Sequence, residues 1–305
     1  MVLVRPLLLS ALAAAAAPPP PAAQVPAPEV VVQAPEPRFV APTLRDRIGR
    51  IWAPVMINGR GPFRLVLDTG ASDSAIIATV AAALGLATEA DHLVLLQGVA
   101  GSAIVPTVHV DSLVVGDLDV TSVTLPILAD ALGGAEGVLG TAGLTDKRID
   151  IDFRHDRISI SRSHGQRAPI GFVTLPLERS GPGLLMVAGY VDRVRVHAVI
   201  DTGAERSIGN EALRRALLSR HARGTPEKIL DVTTHVQGGE MFESPPITLG
   251  GIEIQDARIT YGEVHIFERW QLTHDPTLLI GMDALGLLDA LIIDYRRHEL
   301  QLRTH

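Results

Sequence analysis

Cysteine is absent from the 305 residues, so the fold has no disulfide framework and no lipid can be attached at a cysteine. Aromatic residues are scarce, at 4%. Val, Leu, Ile and Ala must therefore build the core, a composition that suits β-branched strands better than an aromatic binding platform. An excess of positive charge is missing as well, because the formal net charge is -7. Without a basic surface to meet phosphates, DNA and RNA are not expected as partners. There is no HExxH motif or Cys/His cluster, and the 11 histidines lack ligand spacing, so neither metal nor other cofactor is expected. The apolar run Leu7 to Ala17 is too short to cross a bilayer comfortably.

What is present divides the chain into five parts. Arg5 followed by that apolar run, which ends in alanines, reads as a signal peptide over 1–17, with an uncleaved anchor as the alternative. The expected location is therefore the bacterial periplasm or the exterior, with no stable membrane span after cleavage. Residues 18–44 are rich in Pro and Ala, lack apolar periodicity and read as an extended spacer. Turn and breaker residues in the SRSHGQRAPIG segment mark a linker over 164–171. It separates an N-terminal part, 45–163, from a C-terminal part, 172–305. With 47% hydrophobic residues, each part can bury a core of its own.

These two parts repeat one another. APVMINGRGPFRLVLDTGASDSAII in the first matches LLMVAGYVDRVRVHAVIDTGAERSIG in the second: a strand, a short polar turn, then an apolar strand ending in Asp-Thr-Gly-Ala. Gly137-Val138-Leu139-Gly140 likewise matches Leu278-Leu279-Ile280-Gly281, and Ile151-Asp152-Phe153-Arg154 matches Ile293-Asp294-Tyr295-Arg296. The spacings are 133 residues for the Asp pair, 141 for the second glycines and 142 for the late aspartates, so the halves differ by loop insertions. Each half should also carry one short helix after its DTGA motif. Ile77 to Leu84 ends at Gly85, a suitable C-cap, and Asn210 caps Glu211 to His221. The fold class expected is all-β, as two homologous barrel-like lobes with a short helix in each.

An Asp at the end of an apolar strand, followed by Thr and Gly, places a carboxylate on a tight turn. One copy could be a strand-end turn or a helix cap. Two copies in equivalent places bring Asp68 and Asp201 face to face across a pseudo-twofold axis. On these residues the chain resembles the aspartic proteases, pepsin-like in having two lobes in one chain and closest in motif to the retropepsin-like branch, over nearly all of residues 50 to 303. The resemblance implies a catalytic dyad of Asp68 and Asp201, supported by Thr69, Gly70, Thr202 and Gly203, with Gly140 and Gly281 packing the apolar pairs beneath. It places flap hairpins at Gln97 to Ser102 and Val236 to Glu240, making Gly98, Gly101, Gly238 and Gly239 candidates for substrate contact. Glu205 stands where retropepsins carry an acid that holds the substrate backbone. Its counterpart is Ser72, so the two sides of the cleft should differ.

Two carboxylates about 3 Å apart share one proton near neutral pH. The ionised partner can act as general base on a water while the protonated one polarises a peptide carbonyl. The expected activity is therefore that of an exported aspartic endopeptidase acting on proteins or peptides as a monomer. The competing reading is a non-catalytic peptide-binding module on the same fold. Asp152, Asp294 and Asp283 are expected to play structural parts.

Overall fold

The computed structural model describes residues 40–42, 49–130, 132–180, 184–219, 222–262 and 264–304. The expected signal peptide lies outside them. The chain is all-β with short helices, an aspartic protease-like fold, and its strands form three sheets.

Each half begins with an antiparallel hairpin. In the first, Trp52–Ile57 pairs with Arg60–Leu67 across Asn58 and Gly59, whose φ angles of 50° and 70° are those of a two-residue primed turn. In the second, Leu184–Val191 pairs with Val194–Ile200. Both second strands are exposed or half-buried at the start and fully buried over their last three residues, Leu65 to Leu67 and Ala198 to Ile200. That inward plunge carries the chain from the surface to the centre of the molecule.

The same pairings then recur. Arg60–Leu67 runs parallel to Gly137–Leu139, as Val194–Ile200 does to Thr277–Ile280. The short strands Ala75–Ile77 and Ile208–Gly209 pack antiparallel to those partners. Seven strands complete the N-terminal sheet, and the main path of the C-terminal sheet has more. A six-stranded sheet joins the halves: Lys147–Asp152 pairs with Ala290–Asp294 at its middle, so the two late Ile-Asp repeats lie side by side. All three sheets belong to one compact unit spanning Glu36–His305.

The structure adds detail to the sequence reading in three places. Val40–Pro42, within the stretch read as spacer, is a strand paired with Arg157–Arg162. The second helix covers only Glu211–Leu217, where Leu218 turns to extended backbone. The C-terminal half also has two further helices, His265–Arg269 and Met282–Leu285, each too short to leave a helical period in the sequence. The two expected caps are present: Gly85 adopts φ 72° and bonds back to Ala81 and Ala82, and the Asn210 side chain accepts from Leu213 N. Among the described residues no helix is long and apolar enough to cross a membrane.

Candidate active site

The two DTGA turns meet at the centre of the molecule. Asp68 N donates to Leu139 O at 3.0 Å and Asp201 N to Ile280 O at 3.1 Å, so each aspartate is fixed by the parallel strand beside it. The carboxylates are held alike. Asp68 Oδ1 accepts from Gly70 N at 2.8 Å and Ala71 N at 3.1 Å; Asp201 Oδ1 accepts from Gly203 N at 2.9 Å and Ala204 N at 3.0 Å. The two carboxyl groups lie close enough to act directly on each other.

Thr69 and Thr202 lock the turns together. Thr69 N donates to Thr202 Oγ1 at 3.2 Å and Thr202 N to Thr69 Oγ1 at 3.1 Å. Each hydroxyl then donates to the other half's strand, Thr69 Oγ1 to Ile200 O at 2.6 Å and Thr202 Oγ1 to Leu67 O at 2.7 Å. Both threonines are buried. Glycine is required beside each of them: a Cβ on Gly70 would lie 2.7 Å from Asp201 Oδ2, and one on Gly203 would lie 2.2 Å from Asp68 Cγ. Gly140 and Gly281 are equally constrained, because a Cβ there would meet the backbone of Asp73 at 2.5 Å or of Arg206 at 2.6 Å.

Burial is the largest influence on both acids and raises both pKa values. For Asp68, the backbone donors and the nearby Arg50 guanidinium counteract it. For Asp201, the negative charge of Asp68 adds to it, so Asp201 is held well above the ordinary aspartate value. Two acids raised in this way and lying this close share one proton between them.

Both acids line a cavity of about 840 Å3 that also reaches Arg50, Asp73, Glu205 and Trp270. Sequence reading did not single out Arg50, a buried side chain anchored to Leu132 O at 2.7 Å. It also passed over Ser74 and Ser207, whose hydroxyls accept from Gly140 N at 3.1 Å and Gly281 N at 3.2 Å. The repeat does carry that signal, since the serines are spaced as the aspartates are. Asp283 supports this second layer by accepting from Ser207 N and Oγ. Glu205 faces the cavity beside Arg206 Nε at 3.6 Å, while Ser72 is exposed.

Two hairpins cover the cavity. In the first, Glu89–Gln97 pairs with Ser102–Val115, and Gly98 and Gly101 close its turn with Gly98 N donating to Gly101 O at 2.8 Å. In the second, Thr225–Leu230 pairs with Val236–Glu243. Its turn is 231–235, so Gly238 and Gly239 lie in the returning strand, opposite Lys228 and Glu227. Two adjacent glycines read as a turn in sequence. Here Gly239 instead answers close packing, since a Cβ on it would lie 2.8 Å from Thr260 Cγ2. The turn itself is set by Asp231, whose Oδ1 accepts from Thr233 N at 2.8 Å.

The late aspartates hold structure. Asp294, fully buried, accepts from Ser163 Oγ at 2.8 Å and pairs with Arg148 at 3.3 Å; Asp152 Oδ1 accepts from Arg154 N at 3.1 Å in a surface turn. No curated protein matches the chain. Residues 53–142, which include the first DTGA motif, its helix and the first hairpin over the cavity, match the family model described as aspartyl protease.

Proposed function

We propose that the protein is an exported aspartic endopeptidase in which Asp68 and Asp201 activate a water against a peptide bond. The observation that carries this reading is the mutual threonine lock, which fixes a half-buried Asp68 and a buried Asp201 side by side at the base of a large cleft. Two acids held so closely, one of them buried, are costly to fold and serve no packing purpose.

The ionised member of the dyad takes a proton from the water as its oxygen attacks the carbonyl carbon, and the protonated member donates to the carbonyl oxygen. The resulting tetrahedral diol collapses as the first acid passes its gained proton to the amide nitrogen, the second takes back a proton from a diol hydroxyl and the C–N bond breaks, releasing amine and carboxylic acid and restoring the dyad. The family match and the all-β fold support hydrolysis of this kind. Export rests on the N-terminal sequence alone.

The test is cleavage of a peptide library across pH by the wild type, Asp68→Asn and Asp201→Asn. Each single variant should lose nearly all activity, about 1,000-fold or more, and the pair should be non-additive because the proton belongs to both. Near wild-type cleavage by one of them, with the fold intact by circular dichroism, would show that the acids do not form the catalytic pair.

A further inference from the structure

The turn of the N-terminal flap is tied to the C-terminal half by contacts that the repeat does not require. Asp231 Oδ2, in the opposite flap turn, accepts from Ala100 N at 2.6 Å and Gly101 N at 3.2 Å. Val99 O accepts from Ile266 N at 3.3 Å, and Arg269 Nε donates to Gln97 Oε1 at 2.6 Å. Val99 also packs against the apolar cluster that contains Ile229 and Phe267.

The link is one-sided. Asp231 follows Gly98 by 133 residues, the spacing of the two catalytic-motif aspartates, so acid and glycine occupy equivalent places in the two flaps. A Cβ on Gly98 would lie 2.2 Å from Asp231 Oδ2. One flap supplies the anion, and the other supplies the space and the converging amides that receive it.

We propose that Asp231 is a positioning residue for peptide cleavage, drawing the two flap turns together so that the N-terminal flap closes over the cleft. The proposal rests on the peptidase reading of the site. Hydrogen bonds to a carboxylate are stronger than neutral ones, so the closed arrangement is the favoured one, and substrate gains access when they break. A flap that contacts ground state and transition state alike contributes uniform binding, and its loss falls on KM.

Two measurements on the full chain test this, using wild type, Asp231→Ala, Asp231→Asn and Asp68→Asn. By hydrogen exchange, the amides of Ala100 and Gly101 should exchange slowly in wild type and about tenfold or more faster in Asp231→Ala. Asp231→Asn, which keeps an acceptor oxygen, should lie between. Asp68→Asn should retain wild-type protection, so this readout is independent of cleavage.

In peptide cleavage, Asp231→Ala should raise KM about tenfold with kcat within about twofold of wild type. A merely destabilised fold would instead lower kcat through the active fraction at constant KM. Gly98→Ala should reproduce the loss, and have little further effect once Asp231→Ala is present. Equal exchange in wild type and Asp231→Ala, or an unchanged KM, overturns the proposal. If wild type cleaves no peptide that Asp68→Asn spares, the peptidase reading falls and the positioning role with it. Protection abolished by Asp231→Ala would then still establish the link between the flaps.

Discussion

At Asp201, burial and the charge of Asp68 act in the same direction, both disfavouring ionisation. The consequence for stability has a definite sign. Well below the ordinary aspartate value of 3.8, Asp201 is protonated in folded and unfolded chains alike and has no effect. As pH rises from there towards the raised folded value, the unfolded chain releases the proton while the folded one retains it, so stability falls across that window. Asp201→Asn removes this proton and relieves the pressure on Asp68. The variant should therefore lose less stability than wild type between about pH 4 and 7 and be the more stable of the two at pH 7. Urea midpoints measured along that pH series check this, and parallel curves for the two proteins would contradict it. The Asp-Thr-Gly-Ala repeats made the two acids visible in the sequence. Arg50 was not visible, because it has no repeated counterpart and lies 18 residues from the acid it faces.

At the scale of the elements, the decisive pairing lies between two strand-end turns. Thr202 Oγ1 both donates to Leu67 O and accepts from Thr69 N, at 2.7 and 3.2 Å, in a fully buried position. Thr202→Val keeps the shape and leaves both partners without a bond, which should destabilise the chain by roughly 2 to 5 kcal/mol. Thr202→Ser keeps the hydroxyl and should cost about 1 kcal/mol or less. Urea unfolding separates the two, and equal effects would mean that the methyl group, and not the hydrogen bonds, holds the turns. The flaps show the limit of reading elements locally. Gln97 to Ser102 lies at a hairpin turn, whereas Gly238 and Gly239 lie in a strand whose turn is built by Asp231 and Thr233. Local glycine content does not distinguish a turn from a strand crowded by its neighbour.

For the whole molecule, both acids come from one chain, and the six-stranded sheet joins the two halves through Lys147–Asp152 and Ala290–Asp294. Arg148, 3% exposed, bridges that seam to Asp294 and Gln301 at 3.3 Å each. On the proposed reading, a second copy is not needed to complete the catalytic pair. Specific activity should therefore stay constant on dilution from micromolar to nanomolar enzyme, and a steep loss in parallel with a falling mass by light scattering would refute the single-chain site.

The sequence by itself determined the duplicated plan: two hairpins with inward apolar ends, two DTGA turns, two supporting apolar pairs with glycine, and the caps of the first helix in each half. These are local patterns, and repetition made them legible. Only the tertiary structure decided what separates the halves, namely the guanidinium near Asp68, the turn at 231–235 and the single carboxylate joining the flaps. Each of these depends on which groups the fold brings together in space, or on how deeply a side chain is buried, and neither is written in the order of residues along a chain.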